Sequence, residues 1–101
     1  MSGLGKLGQA LPNTMGGMMQ MNKGTMSPGA LDTKTKSLIE VGIAVTVRCD
    51  GCMTMHIKDA LNAGATKAEI TEAIGVGILM GGGPAVIAAL TAQEILEQLA
   101  A

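Results

Sequence analysis

A long uncharged run with a break in its middle is the feature that most constrains the fold. Residues 73–93 include no charged side chain, and the sequence GGGP at residues 81–84 interrupts them. An apolar run of about 20 residues is long enough to cross a bilayer as a helix. In lipid, however, these glycines and the proline would leave backbone polar groups without partners, whereas in water they form an ordinary turn. The run therefore predicts two buried helices joined by a turn rather than a membrane span.

The composition indicates one folded domain with more apolar surface than it can bury. Of the 101 residues, 48% are apolar, which is enough to form a hydrophobic core. A domain of this size buries only a modest part of its surface, so one small core does not hide all of these side chains. Self-association is the simplest way to bury the rest, and we therefore expect a homo-oligomer.

Charge and aromatic content exclude some partners. The chain has seven basic and eight acidic residues, the basic ones are scattered, and Phe, Tyr and Trp do not occur. Without a basic patch or a stacking platform, nucleic acid is not an expected partner. Residues 1–17 resemble neither a signal peptide nor an Arg-rich targeting helix, so we expect a cytoplasmic protein without a membrane partner.

The N-terminal part differs from the remainder. Residues 1–31 form a Gly- and Met-rich segment, helical or flexible, with short helices possible over residues 4–11 and after Pro12. Residues 32–101 form the predicted helical core. Asp32 is a good N-cap for a helix over Thr33–Val47, although the β-branched residues in its second half leave a buried strand as the alternative.

Three more helices complete the predicted all-α core of about five or six helices. The first follows a turn over residues 48–51, runs through Cys52 and ends at Gly64. The second begins at a capping box formed by Thr66 and Glu69 and runs to about Met80. The third has Pro84 in its first turn and continues to Leu99. No alternating strand pair with a hairpin turn is present, so the pattern favours helices alone.

Cys49, Cys52 and His56 are the residues that carry chemistry. Their spacings of three and four place them on one stripe of a helix, with the cysteines in or just before the first turn. The free amides and the positive dipole end of that turn stabilise a thiolate, which is the reactive form of cysteine. In a cytoplasmic protein two cysteines at this spacing are typical of a redox or metal site rather than a structural disulfide.

The same spacing suggests different roles for the two sulfurs. His56 follows Cys52 by one turn, so Cys52 is the candidate nucleophile with His56 as its base or proton relay. Cys49 lies nearer the turn, would close the disulfide and would be the sulfur that an external reductant attacks. We therefore predict a Cys49/Cys52 dithiol that cycles with a disulfide and needs no cofactor or metal.

Two other interpretations remain open. Cys49, Cys52 and His56 are three ligands of the kind that zinc or copper(I) prefers, and a fourth could come from Glu40, Asp50, Asp59, water or a second subunit. The methionines at positions 15, 18, 19, 21 and 26 would add thioether ligands for copper, but they also serve as flexible interface residues. The third interpretation is a structural protein that forms an oligomer and has no catalytic activity.

The motif and its surroundings resemble a known family. Residues 31–86, LDTKTKSLIEVGIAVTVRCDGCMTMHIKDALNAGATKAEITEAIGVGILMGGGPAV, are similar to the AhpD-like (alkylhydroperoxidase and carboxymuconolactone decarboxylase) family from its first core helix to its glycine turn. The resemblance covers more than half of the chain, and the segment GATKAEI is as characteristic as the cysteines. It implies an all-helical fold that assembles as dimers, trimers or hexamers.

The resemblance also implies antioxidant, peroxiredoxin-like chemistry: peroxidase or disulfide reductase activity, with a hydroperoxide or disulfide as substrate and a protein or small thiol as reductant. The second cysteine, Cys52, attacks the hydroperoxide, the first, Cys49, resolves it, and His56 belongs to a proton relay. Decarboxylases of the superfamily do not rely on a CxxC pair, so the cysteines argue against that activity.

One position departs from the family pattern. Members often carry a relay glutamate twelve residues before the first cysteine, where this chain has Ser37. Glu40 lies one turn later on the same predicted helix, and we expect it to replace that glutamate in the catalytic site. The alternative for Glu40 is a surface salt bridge to Lys36, four residues away on the helix.

Overall fold

The computed structural model describes residues 3–101, and these form six α-helices without a strand. The helices are α1 (Gly3–Ala10), α2 (Pro12–Met26), α3 (Thr33–Val47), α4 (Asp50–Asn62), α5 (Lys67–Gly81) and α6 (Gly83–Leu99). The all-α prediction is therefore confirmed. The alternative of a buried strand in the second half of α3 is wrong, because that whole segment is helical.

Side-chain caps set the beginnings of two core helices where the sequence predicts them. The carboxylate of Asp32 accepts a hydrogen bond from the amide of Thr35 at 2.7 Å and starts α3. At α5, the Thr66 hydroxyl accepts from the Glu69 amide at 3.1 Å, while the Glu69 carboxylate accepts from the Thr66 amide at 2.8 Å. Each bond satisfies an amide that has no partner within its own helix.

The hydrophobic core lies between helices α3, α4, α5 and α6. Its largest fully buried apolar side chains come from all four helices: Val41, Val45, Met53, Ile57, Ile70 and Leu96. Helix α6 otherwise contributes small residues, Ala85, Ala88, Ala89 and Ala92. Small residues allow α6 to approach its neighbours closely, so the core is well packed although the chain has no aromatic side chains.

Helices α3 and α5 touch through their backbones at two glycines. A Cβ atom on Gly77 would lie 2.6 Å from the carbonyl oxygen of Gly42 and 2.7 Å from Cβ of Val45. The hydroxyl of Thr46 donates to the carbonyl oxygens of both glycines, at 2.9 and 3.2 Å. Any side chain at Gly77 would therefore push the two helices apart.

The glycine break forms a tight turn between α5 and α6. Gly82 has a φ of +73°, in the region that favours glycine, and α6 begins at the next residue with Pro84 in its first turn. None of the helices over residues 3–101 is both long and apolar enough to cross a membrane. Residues 73–93 thus form parts of two helices joined by a turn, as the sequence predicts, although several of their large side chains are exposed and not buried: Val76, Leu79, Met80, Ile87 and Leu90.

Helices α1 and α2 lie outside the core. Neither helix contains a buried residue. The end of α2 is held at the start of α3 by Lys36, whose ammonium group donates to the carbonyl oxygens of Thr25 and Ser27, both at 2.8 Å. The division into residues 1–31 and 32–101 stays a prediction, and Met1 and Ser2 lie outside the described residues.

The contact between α3 and α5 can be tested with two glycines of one helix. Gly77→Ala should lower the free energy of unfolding by about 1–3 kcal/mol, because the new methyl group overlaps the backbone of α3. Gly75→Ala should raise it by up to about 1 kcal/mol, since its Cβ meets no atom within 4 Å and alanine is the better helix former. Urea denaturation measures both changes, and equal shifts in the two variants would contradict the close contact.

Candidate functional site

The candidate site begins at the junction between α3 and α4. Arg48 ends α3 in the left-handed conformation, with a φ of 59°. The amide of Arg48 donates to Val45 O at 3.2 Å, and that of Cys49 to Ala44 O at 3.1 Å. Cys49 is extended and forms the N-cap of α4, so the helix begins at Asp50, within the segment 48–51 that the sequence predicts as a turn. Two residues, Arg48 and Cys49, thus connect the two helices.

Cys49 and Cys52 form a disulfide across the first turn of α4, with their Cα atoms 5.2 Å apart. The Sγ atom of Cys49 also accepts a hydrogen bond from the amide of Cys52 at 3.3 Å. Both cysteines are half-buried. The sulfurs therefore lie among the unpaired amides of a helix N-terminus, the environment in which a thiolate is most stable.

A small cavity joins Cys52 to the candidate proton-transfer groups. It has a volume of about 210 Å³ and is lined by Cys52 and His56 from α4 and by Glu40, Ile43, Ala44 and Val47 from α3. We call it the Cys52 cavity. Cys49 does not line it and lies on the other side of the disulfide. The structure thus brings Glu40, Cys52 and His56 to one cavity, with Cys49 bonded to its edge.

Glu40 and His56 face each other inside the site. Oε1 of Glu40 lies 3.4 Å from Nδ1 of His56, a distance at which a protonated imidazole forms an ion pair. Both atoms are buried, and neither makes a geometrically sound hydrogen bond to the described residues. The alternative of a Glu40–Lys36 salt bridge is wrong, because Lys36 instead holds backbone carbonyls at the end of α2.

The environment of Glu40 favours its protonated form. Burial raises the pKa of the Glu40 carboxyl, and the nearby Asp59 carboxylate adds to the rise, while His56 opposes it. A carboxyl group with a raised pKa keeps its proton to a higher pH than an exposed glutamate does. The Glu40–His56 pair is therefore suited to holding and passing a proton.

Ser37 occupies the position where the family resemblance places a glutamate. Its residue is 1% exposed, and its hydroxyl oxygen has no hydrogen-bond partner among the described residues. It is not among the residues that line the Cys52 cavity. The carboxylate at the cavity thus comes from Glu40, one turn further along α3.

Three side chains could hold a cation beside the cavity. Donor atoms of Glu40, His56 and Asp59 lie within 4.8 Å of one another. These oxygen and nitrogen ligands would suit zinc better than copper(I), which prefers sulfur. The alternative zinc or copper(I) site at Cys49, Cys52 and His56 would require the dithiol form, because the disulfide provides no thiolate ligand.

The apolar wall of the cavity was not part of the sequence prediction. Ile43, Ala44 and Val47 follow Glu40 at spacings of three, four and seven, which is one stripe of a helix. That periodicity could have identified them. It did not, because α3 is apolar on nearly all sides and the pattern alone does not show which side faces α4.

The fold and the site together define an all-helical protein with a CxxC disulfide at the start of one helix and a histidine one turn later. This class agrees with the comparison to known families. The chain belongs to the carboxymuconolactone decarboxylase family, whose model matches residues 12–94. The predicted AhpD-like membership is confirmed.

Two relatives are similar to this chain over more than four fifths of their own length. An uncharacterized protein of Cupriavidus necator is 36% identical over 94% of this chain and 84% of its own. "Uncharacterized protein 4 in cox locus" of Paracoccus denitrificans is 34% identical over 95% and 86%, respectively. These relatives share the family with this chain, and their descriptions name no activity.

Two crystal structures show the same fold. An apo carboxymuconolactone decarboxylase family protein from Legionella pneumophila superposes with a TM-score of 0.91 at 35% identity, over 97% of this chain and 88% of that one. A family member from Thermotoga maritima, for which a part in an antioxidative response has been suggested, has a TM-score of 0.84 at 26% identity. The latter match covers 94% of this chain and 84% of the other.

The raised pKa of Glu40 predicts a pH-dependent stability. Because the carboxyl loses its proton at higher pH in the folded than in the unfolded chain, the free energy of unfolding should fall as pH rises above about 4.5, until Glu40 is ionised in both states. Glu40→Gln should lessen this fall and gain stability relative to the wild type over the same range. Urea denaturation at a series of pH values measures it, and parallel curves for the two proteins would contradict it.

Proposed function

We propose that this protein is a thiol–disulfide oxidoreductase of the alkylhydroperoxidase type, which reduces hydroperoxides or disulfides through a Cys49/Cys52 dithiol. The observation that carries the proposal is the disulfide at the N-terminus of α4, whose Cys52 side shares a cavity with His56 and Glu40. A reversible disulfide needs a stabilised thiolate, a proton donor and an accessible second sulfur, and the position of Cys52 in the first turn of α4, the adjacent His56 and the half-buried Cys49 support these roles.

The first step uses Cys52 and a hydroperoxide, ROOH. The Cys52 thiolate attacks the terminal peroxide oxygen, an S–O bond forms and the O–O bond breaks. Cys52 becomes a sulfenic acid, while the leaving alkoxide takes a proton and departs as the alcohol, ROH. Two electrons pass from sulfur to the peroxide.

The second step uses Cys49. Its thiol attacks the sulfur of the Cys52 sulfenic acid, the S–S bond forms and water leaves. The Cα atoms of the two cysteines lie 5.2 Å apart, within the range that a disulfide requires. An external dithiol then restores both thiols by exchange and is itself oxidised to a disulfide.

His56 and Glu40 are assigned the proton transfers of this scheme. His56 takes the thiol proton from Cys52, one turn away on α4, and returns a proton to the leaving oxygen. Oε1 of Glu40 lies 3.4 Å from Nδ1 of His56, where its carboxylate would stabilise the imidazolium that forms when His56 takes the proton. Glu40 then takes the part of the family glutamate that is absent at Ser37. The suggested antioxidative role of the Thermotoga maritima relative is in keeping with this chemistry.

Counting thiols tests the redox cycle. The fully reduced protein should lose both thiols on addition of one equivalent of an organic hydroperoxide and recover them with dithiothreitol. In Cys52→Ser the thiol of Cys49 should survive the same treatment, because the sulfur that attacks peroxide is missing. In Cys49→Ser the reaction should stop at a sulfenic acid on Cys52, which dimedone traps and mass spectrometry detects. Loss of the Cys49 thiol in Cys52→Ser would reject the assigned roles.

A second measurement separates catalysis from structure. His56→Gln should slow peroxide-dependent thiol loss by about 100-fold, the usual contribution of a general acid–base group. Thr54→Ala is the matched control, since Thr54 is an exposed residue of the same helix and does not line the Cys52 cavity. Similar rates in both variants, or stoichiometric zinc or copper that follows the purified protein and blocks the thiols, would contradict the oxidoreductase proposal.

A further inference from the structure

A second, larger cavity opens on the outer side of α3. This groove between α3 and α5 has a volume of about 400 Å³, and the surface it exposes is almost wholly apolar. Four large side chains along it, Ile39, Ile43, Val76 and Met80, are 47–71% exposed. We call it the α3–α5 groove. An exposed apolar groove of this kind is typical of a surface that receives another helix.

The chain also contains two helices that lack a surface to pack on. Helices α1 and α2 have no buried residue, and α2 includes Gly16, Gly17 and Gly24, each of which disfavours a helix. Short glycine-containing helices are not stable in water by themselves. Their large apolar side chains are nevertheless exposed: Leu4, Leu7, Leu11, Met18, Met19 and Met21. The pair of helices therefore presents apolar side chains that a partner surface could cover.

The groove and the helix pair also match in charge. Residues 3–31 contain the cations Lys6 and Lys23 and no acidic residue. The groove carries the carboxylates Glu69 and Glu72 at its edge and no basic residue. Glu69 is paired with Lys34, but Glu72, Lys6 and Lys23 take part in no ion pair within residues 3–101. Opposite charges on two apolar surfaces favour their association and fix its orientation.

We propose that α1 and α2 of one copy of this chain pack into the α3–α5 groove of a second copy. Within one chain the groove is lined by α3 and α5 alone, so its own N-terminal helices do not fill it. Methionine is well suited to such a contact, because its flexible thioether chain fits irregular apolar surfaces. The proposal gives the N-terminal segment a function that does not depend on the redox chemistry of the cysteines.

This contact reaches the redox site through one residue. Ile43 lines both the α3–α5 groove and the Cys52 cavity. Helices of a second copy seated in the groove would therefore cover the outer side of a residue that forms the cavity wall. The assembled protein would shield that wall from water, whereas the separate chain leaves Ile43 56% exposed.

Sedimentation equilibrium of the full chain tests the proposal with three matched variants. Met19→Glu alters the helix pair, Val76→Glu alters the groove, and Leu90→Glu changes an apolar residue of α6 that is 59% exposed and lies outside both surfaces. The first two should weaken association by about tenfold or more, because each places a charge inside the apolar contact, and the third should not. Far-UV circular dichroism checks that all three remain helical.

A charge exchange makes the test specific for the two surfaces. Glu72→Lys should weaken association, and combining it with Lys23→Glu or Lys6→Glu should restore it at low salt for whichever lysine faces the groove. The proposal is overturned if the wild-type chain is monomeric, if Met19→Glu associates like the wild type, if Leu90→Glu dissociates as strongly as Val76→Glu, or if neither lysine exchange restores association. Peroxide-dependent thiol loss is measured separately, and none of these variants alters Cys49, Cys52, His56 or Glu40, so this proposal and the redox proposal fail independently.

Discussion

The backbone contact between Gly42 of α3 and Gly77 of α5 is the constraint on which the arrangement of the core depends. Because neither residue has a Cβ, the helices approach so closely that a Cβ at Gly77 would overlap the carbonyl oxygen of Gly42. The hydroxyl of Thr46 donates hydrogen bonds to the backbone of both helices. Because α3 is held so closely on this side, its remaining faces have fixed directions. One of them, the stripe that begins at Glu40, turns toward α4 and the cysteines.

Helix α3 therefore makes three different contacts within a few residues of its length. Gly42 and Thr46 contact α5, Glu40 and Ala44 line the Cys52 cavity, and Ile39 faces the open groove. Only one residue lies between the end of this helix and Cys49. The Glu40 carboxylate and the disulfide thus lie on two helices joined by a short connection, which limits how far they can move relative to each other.

Local chemistry explains why much of the fold could be predicted from the sequence. Asp32, the Thr66–Glu69 capping box and Pro84 act on neighbouring backbone groups, and each marks the start of a helix in the structure. The partner of Glu40 was harder to predict from the sequence. Spacing along α3 makes Lys36 a possible partner, and it does not show that His56 of α4 lies opposite Glu40. Lys36 was instead engaged by the end of α2, a contact between elements that no local pattern reveals. The exposure of α1 and α2 likewise depends on tertiary packing and not on their own residues.

The disulfide between Cys49 and Cys52 has an optical consequence in a chain without Phe, Tyr or Trp. Aromatic rings normally dominate the near-ultraviolet spectrum of a protein, and here none is present to do so. The bond between the two sulfurs is then the main chromophore in that region, held in an asymmetric environment by the first turn of α4. Opening and closing of this bond can therefore be followed directly by near-ultraviolet circular dichroism, without a label and without interference from the rest of the molecule.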